Sequence, residues 1–413
     1  MSGLPRRLHA PVLALLLFTS ACAGPGPTPG GSSPAEQTPA ASRTQPAWLS
    51  ARVAAPAEIE AAPTDVPSMC NPCHPALGTY IDALAPIPGG FVALGFYSPV
   101  AHAEAWTTTN TRTWQRVANL PSPENSGIAA ATSTLAATSG TGVLAVGWSG
   151  TSAAVWRTSD GSSWAMETLT PPSGAGASEQ LTAVAVANGY YVAGGHEELA
   201  DATTQATLWQ SSDGISWTRA AIFGPVAGTQ VTGVASLGSS LVAVGINGDN
   251  RHGTAAAWQS SDAGASWEPV SSSSFGGGRM LAVASASGVL CAVGENVDQT
   301  AAAAWVSGNG TGWAAVSDQP ALDNSGLQLV MMSVASNGPG GGFVADGWRT
   351  DAGNGSVVVW RSPDCRSWTK LPQDVSFSGA GAATILAGPP LLVGGTMGWP
   401  DTHAAQVWVA QGS

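Results

Sequence analysis

The sequence predicts an all-β fold, a seven-bladed β-propeller with four antiparallel strands in each blade. The first observation is a repeat in the 413-residue chain with a spacing of 48 to 53 residues, since a period near 50 is typical of propeller blades. The repeated element is an apolar stretch ending in glycine, found at Phe91–Gly95, Val143–Gly147, Tyr191–Gly195, Leu241–Gly245, Leu290–Gly294, Phe343–Gly347 and Leu391–Gly395. The second observation is composition, because 52 glycines and only 10% charged residues favour short strands and tight turns.

Tryptophan marks two of the four strands, labelled A to D, in each repeat. The first tryptophan ends strand C, at Trp106, Trp156, Trp209, Trp258, Trp305, Trp360 and Trp408. A second one starts strand D eight or nine residues later in six repeats, and the seventh repeat has none. Trp48 stands ahead of the first repeat and matches the start of a strand D. We therefore expect the N-terminal strand to complete the last blade and close the ring, which removes a free sheet edge.

The first residues are typical of an export signal. Arg6 and Arg7 precede the apolar run Val12–Phe18, which ends in small residues before Cys22. The Ser-Ala-Cys sequence resembles the bacterial lipobox, although Thr19 stands where that motif prefers an aliphatic residue. The resemblance implies a signal peptide over residues 1–21 and a lipid anchor on Cys22, and plain secretion is the alternative.

A tether follows the anchor. Residues 22–46 are rich in Pro, Gly and Ser and cannot bury enough surface to fold, so the propeller is assigned to residues 47–413. These features predict a protein held by lipid on the extracytoplasmic face of the cell membrane. Loss of Arg6 and Arg7 with the leader takes the net charge from −12 to −14, which disfavours nucleic acid as a partner.

A polar turn recurs between strands C and D. The stretch Ser260–Trp267 is a complete Ser-x-Asp-x-Gly-x-x-Trp box, and shorter copies end at Trp164, Trp217, Trp313 and Trp368. Asp supplies acceptors to nearby backbone N–H groups, Gly permits unusual dihedrals, and Trp packs on the blade edge. These boxes resemble the Asp-box (bacterial neuraminidase, BNR) repeats of the sialidase-like superfamily. The resemblance implies a propeller. It says little about activity, because such boxes stabilise the blades and take no part in catalysis.

The B–C and D–A loops open on one face, opposite the boxes, and that face holds most of the reactive side chains. We predict that it binds a glycan, a cell-wall component or a protein partner, with flat aromatic rings against sugar faces and carboxylates on hydroxyl groups. The alternative is that loops are polar in any case and that a tryptophan after a strand caps the core. The candidate ligand-binding residues are Tyr97, His102, Glu104, Trp148, His196, Glu197, Glu198, Arg251, His252, Arg279, Trp348, Arg349, Trp399 and His403.

A glycoside-acting, sialidase-like enzyme is the alternative function. The family resemblance would require an arginine triad, which Arg251, Arg279 and Arg349 could supply, and a Tyr activated by Glu, for which Tyr97 and Glu104 are candidates. The Phe/Tyr-Arg-Ile-Pro motif of that family is absent, and its catalytic domains have six blades. We therefore expect a non-catalytic, monomeric binding or assembly module.

The cysteines leave a second alternative. Cys70, Cys73 and His74 form a C-x-x-C-H sequence, which is the attachment pattern of haem c and would make this an electron-transfer protein. A haem c domain needs on the order of 80 residues that are not free here, so we expect a Cys70–Cys73 disulfide and no cofactor, with a metal as a further alternative. Cys291 is interpreted as a buried free thiol in strand B, and Cys365 as a box residue on the opposite face.

Overall fold

The computed structural model describes residues 48–52, 77–98, 101–133, 142–169, 177–226, 228–248, 253–271, 275–317, 319–325, 327–351, 354–398 and 402–410. These residues form seven blades of four antiparallel strands arranged as a propeller, which confirms the predicted fold class. A two-residue parallel pairing of Leu77 and Gly78 with Thr402 and His403 joins blades 1 and 7 into one sheet. In the ranges given above, the connections include two short 3-10 helices, Pro320–Leu322 and Val375–Phe377. Among the residues so described, no helix is both long enough and apolar enough to span a membrane.

Each blade contributes its strands in the order A to D from the centre outward. The A strands are β2 (Leu77–Ile87), β6 (Ser126–Ser133), β10 (Ser178–Ala187), β14 (Gln230–Leu237), β18 (Arg279–Ala286), β22 (Leu329–Ser336) and β26 (Ala380–Leu386). The B strands are β3 (Gly90–Ser98), β7 (Val143–Ser149), β11 (Tyr190–Glu198), β15 (Ser240–Asn247), β19 (Val289–Glu295), β23 (Phe343–Asp351) and β27 (Leu392–Met397). The C strands are β4 (His102–Thr108), β8 (Ser152–Thr158), β12 (Thr204–Ser211), β16 (Thr254–Ser260), β20 (Ala302–Ser307), β24 (Asn354–Ser362) and β28 (Thr402–Ala410). The D strands are β5 (Gln115–Arg116), β9 (Ala165–Thr168), β13 (Thr218–Val226), β17 (Glu268–Pro269), β21 (Trp313–Val316), β25 (Thr369–Lys370) and, for the last blade, β1 (Trp48–Arg52).

The N-terminal strand closes the ring, as predicted. β1 pairs antiparallel with β28, from Trp48 opposite Ala410 onward. Trp48 is buried, and its ring centroid lies 5.2 Å from that of Phe377. The outer edge of blade 7 is therefore covered by a strand from the other end of the chain.

The repeated glycine of strand B has a steric reason. In every blade the pairing of strands A and B shifts register by one residue near the start of strand A, as between Ile81 and Ala83. At this shift the backbone of strand A comes close to strand B. A Cβ atom at Gly95 would collide with the carbonyl oxygen of Tyr80, and Gly245 stands in the same relation to Gln230. The glycine therefore permits the tight pairing of the two inner strands.

The boxes have the geometry that the sequence indicated. In the complete box, Asp262 Oδ1 accepts a 2.9 Å hydrogen bond from the Ser266 N–H, and the indole of Trp267 donates to the Gly264 carbonyl at 3.0 Å. Hydrogen bonds from the Ser266 hydroxyl and backbone lower the pKa of Asp262 to about 2. The box carboxylates thus accept hydrogen bonds from residues of their own turns.

The structure corrects the interpretation of Cys291. Cys291 and Cys365 form a disulfide with a Cα–Cα distance of 5.6 Å, so Cys291 is not a free thiol. In blades 3, 4 and 5 a Cβ atom added to the box glycine would meet an apolar strand B residue of the preceding blade, as one at Gly310 would meet Val242. Cys365 takes the glycine position, with φ +65°, and Cys291 takes the apolar one. The disulfide therefore replaces a contact between neighbouring blades.

Candidate functional site

The connections between strands divide onto two faces. The A–B turns and C–D boxes share one face, and the B–C and D–A connections share the other, which we call the B–C face. Several candidate residues lie in strand ends rather than in loops, because the B–C hairpins are tighter than the sequence indicated. β3 ends at Ser98 and β4 already begins at His102. Strand pairing therefore buries side chains that loops would have exposed.

Glu104 is bound within blade 1. It is 3% exposed in β4, and Arg116 in β5 holds its two carboxylate oxygens at 2.6 and 2.7 Å. A two-point contact of this kind is geometrically specific. It gives Glu104 a structural role between the two outer strands.

Glu197 belongs to a buried cluster in blade 3. Arg219 in β13 contacts Glu179 at 2.6 Å and Glu197 at 2.9 Å, and both glutamates are fully buried. The Arg219 guanidinium also lies 5.1 Å from the centre of the Trp209 ring, whose N–H donates to Glu179 at 2.7 Å. Burial raises the pKa of Glu179, and the charge of Arg219 opposes that shift. The cluster joins the innermost strand of the blade to the outermost one.

Arg279 is paired in the same manner in blade 5. It is 3% exposed at the start of β18 and forms an ion pair with Glu295, the last residue of β19. The two residues lie directly opposite each other in the sheet. Arg279 therefore has an internal carboxylate partner.

Trp148 packs between blades 1 and 2. It is 3% exposed, and its ring meets that of Phe96 edge-on with the centroids 5.4 Å apart. Phe96 in turn stacks on Tyr80 at 5.0 Å. This aromatic cluster agrees with the alternative that a tryptophan after strand B caps the core.

The remaining described candidates are Tyr97, His102, His196, Glu198, Trp348 and Arg349, and all are partly exposed. Burial raises the pKa of Tyr97 and lowers that of His196 to about 4, so both side chains are neutral at pH 7. His102 Nδ1 lies 3.3 Å from the carbonyl oxygen of Ser122. Trp348 and Arg349 are successive residues of β23, so their side chains point to opposite faces of the blade 6 sheet.

Some candidates fall outside what the structure describes. These are Cys22, Cys70, Cys73, His74, Arg251, His252 and Trp399, together with the side chain of His403. The predictions of a lipid anchor, a local disulfide and a haem or metal at the C-x-x-C-H sequence therefore stay predictions. Within the described ranges, no group of three His, Cys, Asp or Glu side chains is arranged to hold a metal ion.

Sequence reasoning missed a groove on the rim of the propeller. It has a volume of about 610 Å³ and lies between β9 of blade 2 and the box of blade 3. Its lining residues are Met166, Glu167, Thr168, Leu169, Trp209, Ile215 and Trp217. Ile215 could have indicated this groove in the sequence, because it is an apolar residue at a position of the box turn that is polar in most other copies. Trp209, which lines the groove, also contacts Arg219 of the buried cluster that holds Glu197.

Comparisons with known proteins agree with the architecture. The sequence matches no family model and no curated protein. The solved structure of YCF48 bound to D1 peptide is similar at 15% identity and a TM-score of 0.50, with 90% of this chain and 98% of that chain covered. A GH74 xyloglucanase from Xanthomonas campestris is 18% identical with a TM-score of 0.49, over 79% of this chain and 54% of that one. Trypanosoma rangeli sialidase is 16% identical with a TM-score of 0.44, over 81% and 55%. At 15% identity the likeness to the YCF48 structure extends to the fold alone.

Proposed function

We propose that this protein is an exported, lipid-anchored propeller that acts as a non-catalytic binding or assembly module through its B–C face. The anchor is Cys22, and residues 23–46 hold the propeller away from the extracytoplasmic face of the cell membrane. The ligand is a glycan, a cell-wall component or a protein segment. The protein works as a monomer and without a cofactor.

The observation that carries the proposal is the internal pairing of the groups that a glycosidase would need. Glu104, the candidate activator of Tyr97, is bound by Arg116 on both oxygens. Burial raises the pKa of Tyr97, which opposes formation of a phenolate nucleophile. Arg279 is paired with Glu295. The internal partners of Glu104 and Arg279 therefore support a binding function over a catalytic one.

Partly exposed groups on the same face support binding. Tyr97 on blade 1 and Trp348 and Arg349 on blade 6 are partly exposed, and blade 7 lies between these two blades. The sequence adds Trp399, which follows strand B of blade 7, as a third aromatic candidate. Stacking on such rings and hydrogen bonding to Arg suit both sugars and peptides.

A binding array tests the proposal. Purified protein is applied to immobilised glycans, cell-wall fragments and extracytoplasmic proteins, beside a panel of chromogenic glycosides. The double variant Trp348→Ala with Trp399→Ala should weaken binding by at least tenfold, because each stacked aromatic contributes about 0.5–1.5 kcal/mol beyond its buried area. Tyr190→Ala is the matched control, since Tyr190 is 36% exposed and lies at an A–B turn on the opposite face.

Two outcomes would overturn the proposal. One is glycoside turnover that is lost in Glu104→Gln or Tyr97→Phe, which would establish the enzyme. The other is binding that survives the double tryptophan variant and is lost in the Tyr190 control, which would move the ligand to the box face.

A further inference from the structure

The innermost strands leave one side chain of each blade facing the axis of the propeller. In every A strand, the residue at the register shift has no partner in strand B, as Asp82 has none between Ile81 and Ala83. In all seven blades the residue before it is buried, whereas the shifted residue itself is partly exposed. Because the A strands lie innermost, this exposure indicates a channel along the axis that solvent can enter. We call the seven shifted residues the channel ring; they are Asp82, Ala129, Thr182, Thr232, Leu281, Met332 and Ala383.

The threonines of the channel ring show which groups lie beside this position. Thr182 donates its hydroxyl to the carbonyl of Val231 in the next blade at 2.5 Å. Thr232 donates in the same way to the carbonyl of Met280 at 2.8 Å. Asp82 occupies the equivalent position in blade 1, but an ionised carboxylate has no proton to donate to a carbonyl oxygen. Its Oδ2 is buried and has no hydrogen-bond partner among the described residues, so this oxygen is free to accept from a ligand.

Asp82 also lacks the internal counter-ion that the other charges of the inner strands have. Besides Asp82, the described A strands carry two charged residues. Glu179 is paired with Arg219 in blade 3, and in blade 5 Arg279 is paired with Glu295. No ion pair in the described part of the chain involves Asp82. Burial raises the pKa of Asp82 to about 7, so near neutral pH a cation would compete with a proton for this carboxylate.

The other members of the channel ring leave room beside Asp82 and supply apolar contacts. The neighbours of Asp82 are Ala383 of blade 7 and Ala129 of blade 2, which have the smallest side chains of the ring. Leu281 and Met332 form an apolar part of the ring on blades 5 and 6. A group that carries a positive charge at the end of an apolar stem matches this distribution.

The site opens toward the B–C face. The register shift lies near the start of strand A, which is the end that the D–A connection reaches from that face. Tyr80 precedes Asp82 by two residues, and its ring stacks on Phe96 at 5.0 Å. The pKa of Tyr80 is raised by burial and, to a smaller extent, by the nearby charge of Asp82. A ligand that enters from the B–C face therefore reaches the carboxylate beside the ring of Tyr80.

The composition of the channel ring favours an ammonium group over a metal ion. Asp82 is its single charged member, whereas calcium and magnesium take several oxygen ligands. A lysine carries its ammonium on a flexible apolar stem, whereas an amino sugar carries it beside hydroxyl groups that Leu281 and Met332 could not bind. The chain has a net charge of −12, which attracts cations to its surface.

We propose that the channel ring binds the side chain of a lysine from a partner protein, with its ammonium group on the carboxylate of Asp82 and its stem against Leu281 and Met332. The inference rests on the proposed function and narrows it. The site lies at the centre of the B–C face, and its chemistry selects a protein segment as the ligand of that face.

The test uses the full mature chain and two small probes, Nα-acetyl-lysine methylamide and the same compound acetylated on Nε. Calorimetric titration should show binding of the first probe to the wild type. The second should bind about tenfold more weakly or not at all, since acetylation removes the charge without changing the protein. Asp82→Asn should weaken binding of the first probe to the same extent, because it keeps the shape of the side chain and removes its charge. Asp298→Asn is the matched control and should leave binding unchanged, because Asp298 is exposed in a B–C loop outside the ring.

The pH dependence of binding gives a second readout. Between pH 6 and pH 8 the affinity of the wild type for the lysine probe should rise by about tenfold, because a carboxyl with a pKa of about 7 changes from mostly protonated to mostly ionised. The other titratable groups of β2 and the strands packed against it are Tyr80, Tyr97 and His403. The pKa of each tyrosine is raised by burial, so both are neutral in this range, and the side chain of His403 lies outside the described residues. Asp82→Asn should abolish the rise, and a rise that survives it would contradict the role of Asp82.

Other results would also show that the inference is wrong. These are equal binding of the two probes, unchanged binding in Asp82→Asn, no binding at about 10 mM lysine probe, and binding of glucosamine or calcium at Asp82 that exceeds that of the lysine probe. An array ligand that is weakened by the double tryptophan variant and unaffected by Asp82→Asn would leave the proposed function standing without this inference. Lysine binding at Asp82 together with turnover of the array ligand would reject the proposed function and keep the site.

Discussion

At the residue scale, Asp346 is the most unusual side chain in the described structure. It occupies the position in strand B that other blades fill with Leu94, Val146 or Val244, and it is 0% exposed. Neither carboxylate oxygen has a hydrogen-bond partner among the residues described. Burial raises the pKa of Asp346 well above its ordinary value. The carboxyl group is therefore protonated in the folded protein over a wide pH range.

This burial predicts a pH-dependent stability effect. Because the pKa is raised in the folded state, the free energy of unfolding should fall as pH rises above about 4, where the unfolded carboxyl ionises first. Asp346→Val should stabilise the protein by about 1–3 kcal/mol at pH 4, by removing an unsatisfied buried polar group, and by more at pH 7. Urea unfolding at the two pH values measures both effects.

Asp346→Asn is the control for this prediction. It keeps a buried polar group but cannot ionise, so it should remove the pH dependence and leave the cost of burial. If wild type and Asp346→Asn show the same change in unfolding free energy between pH 4 and pH 7, the assignment of the pH effect to Asp346 is wrong.

At the scale of elements, the disulfide links strand B of blade 5 to the box of blade 6 over a sequence separation of 74 residues. The variant Cys291→Val with Cys365→Gly restores the residues that other blades use at these positions. It should lower the free energy of unfolding by about 2–4 kcal/mol, with part of the loss offset because glycine suits the positive φ at position 365. Urea midpoints give the difference. Free thiols at both cysteines in the untreated wild type, detected by alkylation and mass spectrometry, would contradict the pairing.

The number of strands and the closure of the last blade could be predicted from the sequence. Tryptophan and glycine recur at fixed places in each repeat, and Trp48 supplies the missing strand. The ion pairs of Glu104 and Glu197 could not be predicted from the sequence. Their partners, Arg116 and Arg219, lie in outermost strands, and the direction of those side chains depends on how the strands pair in the folded protein. The disulfide could have been predicted from the sequence. Cys365 stands at the glycine position of its box, next to strand B of the preceding blade, and Cys291 lies in that strand.

At the scale of the whole molecule, closure by β1 determines whether blade 7 is complete. Trp48 is 6% exposed, packs on Phe377 and donates its backbone N–H to Asp374 at 3.4 Å. Trp48→Ala should therefore destabilise the protein by about 3–5 kcal/mol, the usual cost of truncating a buried tryptophan. Deletion of residues 23–45 is the control and should leave the melting temperature unchanged. Equal effects of the two changes would count against a structural role for β1.

Buried ion pairs also link strands within the blades, as Arg219 does with Glu179 and Arg279 does with Glu295. The proposed binding function is assigned to the B–C face, where Tyr97 and Trp348 are partly exposed.

The most direct measurement of the central claim is the fate of the bound ligand. The ligand that the array identifies is incubated with stoichiometric protein for many hours and then recovered and weighed by mass spectrometry. We expect a ligand of unchanged mass, bound reversibly and released intact. A product of altered mass that forms with the wild type and is absent with Glu104→Gln would show that the protein is an enzyme and would rule out the proposed function.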